Sequence, residues 1–287
     1  MRVVRVALDG LDEARRAALG AHLSPAERAR VAALRDERAR QRALLARGLL
    51  RELLGRQCGC EPARLELTSG PHGKPALPPA YGLTFNLSRA GDLLLIAWAR
   101  GAHPLPAPAL GIDLVQRDPA LDPQELRPAL SPQELQAALS PQELQATLSP
   151  QELQATLSPQ ELRPALSPQD ALNPAELAPS AEPRPAREGP PTPPTVQPAG
   201  PAAAALRAFV RKEALLKALG TGLGGPLEPT RLTLTPAPGD PWSAHDVPGW
   251  GRVWLRDLPL APDHLAALAL TGPAATPRQV ELVTFGD

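Results

Sequence analysis

Cysteine is nearly absent from this chain of 287 residues, which contains only Cys58 and Cys60 with one glycine between them. A single close pair cannot form the framework of several disulfides that stabilises small secreted domains. It also lacks the second pair of ligands that a structural zinc site requires. The five histidines show no metal-binding spacing such as HExxH. We therefore expect neither a disulfide scaffold nor zinc chemistry.

An excess of charge is also lacking, because 30 basic residues balance 30 acidic ones. A net charge of zero gives no general attraction to nucleic acid or to an anionic membrane, so any basic site has to be local. At the start of the sequence, Asp9 closes the only apolar stretch. That stretch is too short for a signal peptide or a membrane span. We expect a soluble, cytoplasmic protein without nucleic-acid or membrane partners.

Aromatic residues disappear between Asp118 and Pro201, and about half of the 38 prolines are concentrated there. A nine-residue unit of the type LSPQELQAA repeats within this stretch, with copies that begin at Leu121, Leu130, Leu139, Leu148 and Leu157 and a degraded copy that begins at Leu166. The proline-rich segment that follows is typical of an extended linker. The composition indicates an insert rather than a packed core.

Each repeat unit carries the signals of a helix start. In the second unit, Ser131 is a suitable N-cap, Pro132 suits the first helical position, and Glu134 completes a capping box. Leu130 can pack against Leu135 across the first turn. The next proline follows nine residues later, before a helix can propagate. We expect fluctuating single turns in a disordered insert; the alternative is a solenoid or an array that binds a partner.

Outside the insert, helical and strand-like patterns alternate in two portions. A capping box at Ser24 opens helical sequence that continues, with or without a break, to Leu54, and an amphipathic helix over 203–219 ends before Gly220. Apolar or alternating runs predict strands at 2–8, 65–68, 83–88 and 93–99 in the first portion and at 111–115, 231–235, 252–258, 264–270 and 280–285 in the second. The pattern indicates an α+β fold in which a helix followed by a sheet occurs twice.

Short motifs with polar residues stand in a characteristic order along both portions. They are Gly73-Lys74-Pro75 with Phe85-Asn86-Leu87-Ser88, then Gly111-Ile112-Asp113, then Lys212-Glu213-Ala214 continuing to Lys217 and Gly220-Thr221-Gly222-Leu223. Together they resemble the Sfp-type 4′-phosphopantetheinyl transferases, whose pattern is GKP, FNxSH, GIDxE and WxxKEAxxKxxGxGL. Each motif alone is a weak signal, whereas the joint order and spacing are specific.

The residues themselves favour a divalent cation site. Asp113 ends a short apolar strand, where a carboxylate is poorly placed for core packing and well placed to meet a cation. Glu213 precedes Lys217 by one helical turn, so both can face the same pocket. Two carboxylates without nitrogen or sulfur ligands suit Mg²⁺, which retains water and takes further ligands from phosphates. The alternative interpretations are a solvated Glu–Lys pair on a helix and an aspartate that caps a turn.

The resemblance implies an enzyme that moves the phosphopantetheine arm of coenzyme A onto a serine of an apo carrier protein. By the same resemblance, Asp113 and Glu213 bind Mg²⁺, Glu213 or a metal-held water takes the serine proton, and Lys217 neutralises phosphate charge. The coenzyme A ligands that it implies are Arg47, Gly73, Lys74, Pro75, Ser88 and Arg89. Without the other motifs, Lys74 would be interpreted as an exposed turn residue and Arg47 as a solvent-facing helix charge.

The resemblance also implies two similar α/β subdomains related by pseudo-twofold symmetry, with coenzyme A in the cleft between them. We assign residues 1–108 to the first subdomain, residues 109–118 and 202–287 to the second, and residues 119–201 to the insert. Because one chain holds both halves, we expect a monomer.

Three positions depart from the family pattern. Val115 stands where the family commonly has a second acid after Asp113, so one metal ligand is missing and water has to replace it. Arg89 replaces a histidine, and Phe209 replaces a tryptophan. These differences leave two alternatives open: a catalytically silent module that binds coenzyme A or a carrier protein, and a scaffold whose function lies in the repeats.

Overall fold

The computed structural model describes residues 1–70, 72–101, 107–118, 120–139, 201–222, 225–234, 241–272, 275 and 279–285. Within them the chain combines helices with two four-stranded sheets, so the predicted α+β class is confirmed. No helix in these ranges is both long and apolar enough to cross a bilayer. The later repeat units and the proline-rich segment lie outside the described residues.

Five α-helices lie in the described part of the chain: α1 (Glu13–Ala21), α2 (Pro25–Ala32), α3 (Glu37–Cys58), α4 (Pro132–Ala138) and α5 (Pro201–Leu219). The predicted capping box at Ser24 is confirmed. The helical sequence behind it breaks at Asp36, whose carboxylate caps α3 by accepting a hydrogen bond from the backbone of Ala39. Gly220 follows the last residue of α5 with a φ of 74°, as expected for a glycine that ends a helix.

Ten β-strands lie in the same ranges: β1 (Arg2–Ala7), β2 (Thr68–Ser69), β3 (Pro75–Ala76), β4 (Leu83–Ala90), β5 (Leu93–Arg100), β6 (Ala109–Gln116), β7 (Ser243–Val247), β8 (Gly251–Leu258), β9 (His264–Thr271) and β10 (Glu281–Thr284). The first large sheet has the order β10-β1-β5-β4 and the second β6-β9-β8-β7, while β2 pairs only with β3. All these pairs are antiparallel except β1 with β10.

Some strand predictions differ from the structure. A strand was expected at 231–235, but Pro229–Arg231 forms a 3₁₀ turn and no strand follows through Leu234. The backbone N–H of Leu234 instead donates to the carboxylate of Glu134, so it is not available to a neighbouring strand. The predicted strand at 65–68 is reduced to Thr68 in β2, and β7 was not predicted.

The last strand joins the two halves of the molecule. We group β10 with the second subdomain from the sequence, yet it pairs in parallel with β1 at the edge of the first sheet. The chain therefore returns to its first half at the end. The predicted subdomain boundaries and the pseudo-twofold relation stay predictions.

Each large sheet packs one face against a long helix and the other face against its partner sheet. On β5, Leu94 belongs to the core under α3, whereas its neighbour Leu95 belongs to the core between the sheets. On β9, Ala267 belongs to the core under α5 and Leu268 to the core between the sheets. The layers follow in the order α3, first sheet, second sheet, α5.

Gly111 allows α5 to lie directly on β6. A Cβ atom at this position would stand 2.0 Å from the carbonyl oxygen of Ala214 and 2.3 Å from the backbone nitrogen of Ala218. Both distances are far inside van der Waals contact, so glycine is required for this approach. Asp113 lies two residues further on the same face of β6 and is thereby brought beside α5.

The first two repeat units fold onto α5, so the predicted disorder of the insert is wrong for them. The first unit forms a 3₁₀ segment over Pro123–Ala129, and the second forms α4. Leu130 and Leu135 are buried in a cluster with Ala205 and Ala208 of α5. A single turn that is marginal in isolation is stabilised here by tertiary contacts, which the repeat pattern alone does not reveal.

Glu134 holds the second unit in place through a buried ion pair. Its carboxylate accepts hydrogen bonds from the backbone of Ser131 at 2.9 Å and of Leu234 at 3.0 Å, and it pairs with the ammonium group of Lys212. Lys212 also donates to the carbonyl oxygen of Ala129 at 2.8 Å. Burial lowers the pKa of Lys212, and Glu134 opposes that shift. Both charges are therefore compensated by partners rather than by water.

Replacing Gly111 with alanine should lower the free energy of unfolding by more than about 2 kcal/mol, because the added methyl group forces α5 away from β6. Chemical denaturation measures this change. Gly10 is the matched control, since a Cβ there meets no atom within 4 Å. Gly10→Ala should change the stability by less than about 1 kcal/mol. Equal effects of the two substitutions would show that the close contact is not a constraint.

Candidate functional site

Two side chains of β4 bind the backbone of β6 and so join the edges of the two sheets. The side-chain oxygen of Asn86 accepts from the N–H of Ile112 at 3.0 Å, and the hydroxyl of Ser88 accepts from the N–H of Leu114 at 3.1 Å. Asn86 and Ser88 are both buried. The FNLS motif and the GID motif are thus held side by side, although the chain between them runs through another strand.

Asp113 lies at the centre of a small polar cluster between β4, β6 and α5. Its Oδ1 atom accepts hydrogen bonds from Lys217 Nζ at 2.6 Å and from Ser88 Oγ at 2.9 Å. Lys217 Nζ also donates to Ser88 Oγ at 3.1 Å. Asp113 is only 7% exposed, so its charge is balanced mainly by Lys217. Ser88, which we expected to contact coenzyme A, orients Asp113 here.

Glu213 lies one turn before Lys217 on α5 and is half-buried. Its Oε1 atom is buried and has no hydrogen-bond partner within the described residues. Burial is the main factor that raises the pKa of Glu213, and the nearby carboxylate of Asp113 raises it further. Lys217 lowers the pKa. Asp113, Glu213 and Lys217, separated in the sequence by the whole insert, therefore act on one another in one place.

The chemistry of this donor set fits a hard divalent cation. A buried carboxylate oxygen without a partner, beside a second carboxylate, is an arrangement that a bound cation would compensate. Val115 follows on the same face of β6 but packs among the apolar side chains under α5 and offers no oxygen. Among the described residues no three Asp, Glu, His or Cys side chains are grouped to hold a metal. Mg²⁺ tolerates such a pair because water and phosphate oxygens fill its other positions.

Lys74 links the GKP motif to the second half of the molecule. Its ammonium group donates to the carbonyl oxygens of Leu110 at 2.9 Å, Lys217 at 2.5 Å and Ala218 at 3.3 Å. The last two carbonyls belong to the C-terminal turn of α5, where a cation is favourable. Burial lowers the pKa of Lys74 to about 8. A phosphate would compete with these carbonyls for Lys74, whose contact with coenzyme A stays a prediction.

The described interactions of the two predicted arginine ligands are with residues outside this cluster. The Nε atom of Arg47 is 3.4 Å from a carboxylate oxygen of Glu27, which Arg51 also binds at 2.6 Å. Arg89 is exposed near the end of β4. Burial lowers the pKa of both Arg47 and Arg89. Their expected contacts with phosphate stay predictions.

A cleft of about 450 Å³ opens beside Lys74, between the GKP motif and the end of α5. Trp250 lines this cleft, and 39% of its surface is exposed. The hydroxyl oxygen of Thr221 is buried and has no hydrogen-bond partner among the residues described. Gly73 turns the chain with a φ of 78°, and Pro75 lies in β3 at the wall of the cleft. The cleft thus combines an aromatic face with polar groups from both halves.

Sequence reasoning gave no role to three residues of this region. Asn86 and Lys212 stand inside the quoted motifs, so the motif match was a usable signal for both. Trp250 lies in the turn between β7 and β8, far from every motif. Only the fold brings it to the cleft.

Comparison with known proteins supports the predicted family resemblance. No family model matches the chain. A curated phosphopantetheinyl transferase from Thraustochytrium sp. is 35% identical over 125 residues, which make up 43% of this chain and 41% of that protein. The match confirms the predicted resemblance to the phosphopantetheinyl transferases. The match covers less than half of the relative's length and does not distinguish the Sfp type.

Replacing Glu213 with glutamine should stabilise the protein when no divalent cation is present. The substitution removes a partly desolvated carboxylate beside Asp113, and we expect the free energy of unfolding at neutral pH to rise by on the order of 1 kcal/mol. Because the pKa of Glu213 is raised in the folded state, the gain should shrink as the pH falls toward the ordinary value of 4.5. Denaturation curves at several pH values measure it.

Glu66 supplies the control, since it is exposed and its replacement by glutamine should leave the stability nearly unchanged at each pH. A loss of stability in Glu213→Gln would contradict the interpretation of Glu213 as a strained, uncompensated carboxylate.

Proposed function

We propose that this protein is an Mg²⁺-dependent phosphopantetheinyl transferase of the Sfp type. It moves phosphopantetheine from coenzyme A to a serine of an apo acyl or peptidyl carrier protein and releases adenosine 3′,5′-bisphosphate. The observation that carries the proposal is the interaction of Asp113, Glu213 and Lys217 where α5 crosses β6. The name of the curated relative supports phosphopantetheinyl transfer. The metal, the donor and the acceptor belong to the proposal.

Asp113 and Glu213 would hold the metal. When bound, Mg²⁺ would neutralise charge on the pyrophosphate of coenzyme A. Ser88 keeps Asp113 oriented through a hydrogen bond of 2.9 Å. The side chain of Lys217 is 31% exposed, so its ammonium group can reach a phosphate in solvent while staying near Asp113. The two carboxylates and Lys217 carry a net negative charge, which a divalent cation reverses in favour of an anionic substrate.

Glu213, or a water held beside it, is the group best suited to take the proton of the carrier serine. Its Oε1 atom is free of other hydrogen bonds in the described residues, and its raised pKa makes it a stronger base than an ordinary carboxylate. The serine oxygen forms a bond to the β-phosphorus as the bond from that phosphorus to the bridging oxygen breaks. The bridging oxygen then leaves on adenosine 3′,5′-bisphosphate.

The cleft beside Lys74 is the proposed place of the nucleotide. The exposed face of Trp250 offers a surface on which an adenine can stack. The exposed turn at Gly73 allows close approach of the backbone. Arg47, Arg89 and Lys74 are the proposed sources of positive charge for the phosphates. A cytoplasmic location and a monomeric state stay predictions from the sequence.

A catalytically silent module that binds coenzyme A or a carrier protein is the second candidate. The apolar surroundings of Val115 favour it, because they leave the cation site with two protein carboxylates. The enzyme and a silent module that binds coenzyme A both predict binding of coenzyme A in the cleft. Only the enzyme adds phosphopantetheine to a carrier, so the mass of the carrier distinguishes them.

Incubation with coenzyme A, Mg²⁺ and apo carrier proteins, followed by mass spectrometry of the carriers, tests the proposal. Asp113→Ala and Glu213→Gln should each reduce the rate of transfer by at least about 100-fold, because they remove charge that stabilises the transition state. Glu66→Gln should transfer like the parent protein. Transfer at the parental rate by both site variants would refute the assignment of the metal ligands.

Replacing residues 141–199 with a flexible linker of about ten residues should leave the rate of transfer within about twofold of the parent. The described contacts of the insert with α5 end at Leu139, so nothing known in the site is removed. Extending the deletion back to Leu121 should lower the melting temperature, because it exposes Ala205 and Ala208. Loss of transfer in the shorter deletion would favour the repeat scaffold.

A further inference from the structure

The second repeat unit is bound by a defined surface, which we call the repeat dock: Ala205, Ala208 and Lys212 of α5 with Thr233 and Leu234. Lys212 is 1% exposed and recognises a carboxylate. The backbone N–H of Leu234 binds the same carboxylate. Thr233 Oγ1 lies 2.9 Å from the hydroxyl of Ser131 in the second unit. The repeat dock therefore binds a Ser-x-x-Glu turn that is flanked by leucines.

The following units contain the residues that the dock recognises. In the second unit the buried positions are Leu130, Ser131, Glu134, Leu135 and Ala138. The units that begin at Leu139 and Leu148 repeat the leucines, the serine and the glutamate in the same places and differ at the last position, where threonine replaces the alanine. The alanine is 1% exposed, so a threonine there has to bury a hydroxyl group. This difference favours the second unit, which is the one bound in the structure.

Other units lack part of the pattern. The unit that begins at Leu157 has Pro164 at the position equivalent to Ala137 of α4, so it lacks the backbone N–H of that position. The degraded unit from Leu166 has Asp170-Ala171 in place of Glu-Leu, so its shorter acid and missing leucine do not match the dock. The candidates for docking are therefore the units from Leu139 and Leu148.

Chain connectivity permits an exchange of units. Six residues join the end of β6 at Gln116 to the 3₁₀ segment that begins at Pro123. A shift by one unit lengthens this connection by nine residues, which lowers the population of the shifted form only about fourfold. The chain on the other side of the dock becomes shorter by the same nine residues.

We propose that the repeat dock accepts the units from Leu139 and Leu148 in exchange for the second unit, so that the insert occupies the surface of α5 in several registers. Glu143 and Glu152 take the place of Glu134 as the partner of Lys212 in the shifted registers. The duplicated units thereby protect a buried lysine against the loss of any one glutamate. This inference does not depend on the transfer activity.

Disulfide trapping detects the register directly. In full-length protein with Cys58→Ser and Cys60→Ser, Thr233→Cys is combined with Ser131→Cys, with Ser140→Cys or with Ala146→Cys. A cross-link at position 131 reports the register seen in the structure, and a cross-link at position 140 reports a shift by one unit. Ala146 is the control for random collision of a tethered chain, because the equivalent Ala137 of the second unit is exposed. Oxidation and peptide mass spectrometry give the yield of each cross-link.

The expected result is efficient cross-linking of position 131 and a smaller yield at 140. Adding Glu134→Gln should raise the yield at position 140 at least about fivefold and leave the yield at 146 low, since breaking the buried pair disfavours the second unit. Equal yields at 140 and 146 in the Glu134→Gln background would overturn the proposal.

Thermal unfolding without engineered cysteines provides an independent readout. Glu134→Gln should lower the melting temperature by less than half of the shift caused by the triple substitution Glu134→Gln, Glu143→Gln and Glu152→Gln. The pair Glu143→Gln and Glu152→Gln is the matched control and should melt like the parent. A single Glu134→Gln that melts as low as the triple variant would show that no other unit can occupy the dock.

Discussion

The contact of α5 with β6 at Gly111 is the constraint on which the rest of the structure depends. Because glycine has no side chain, the helix backbone lies within contact distance of the strand. Three parts of α5 are then in contact with other segments. Lys217 and Glu213 lie beside Asp113, Lys212 is buried under the repeat units, and Lys74 caps the C-terminal turn. The candidate site and the attachment of the insert are consequences of one close crossing.

The candidate site contrasts with the buried ion pair under the repeat units. In the buried pair of Lys212 and Glu134, the ammonium group and both carboxylate oxygens have hydrogen-bond partners. By contrast, Glu213 has an oxygen without a partner next to the carboxylate of Asp113. An uncompensated charge that is retained in a half-buried position is typical of functional sites, where stability is reduced in favour of binding. The two lysines of α5 differ in the same way: Lys212 is buried in a structural ion pair, whereas Lys217 is partly exposed beside Asp113.

The sequence predicted what local patterns and motif order determine. Periodicity identified the long helices and most strands, and the motifs identified Asp113, Glu213 and Lys217 as neighbours. Contacts between distant segments that carry no motif could not be predicted from the sequence. The folding of Leu130 and Leu135 depends on small residues of α5, the missing strand at Leu234 depends on Glu134, and Trp250 reaches the cleft only through the fold. The parallel pairing of β10 with β1 has no local signal either.

Binding of Mn²⁺ in the presence of coenzyme A, followed by electron paramagnetic resonance, tests the central claim most directly, because it reports the cation site without requiring a carrier protein. The parent chain should bind one tightly held Mn²⁺ whose signal depends on coenzyme A. Asp113→Asn should lose that signal while still unfolding cooperatively. Undiminished binding of Mn²⁺ by Asp113→Asn would contradict the claim that Asp113 of β6 and Glu213 of α5 share a cation.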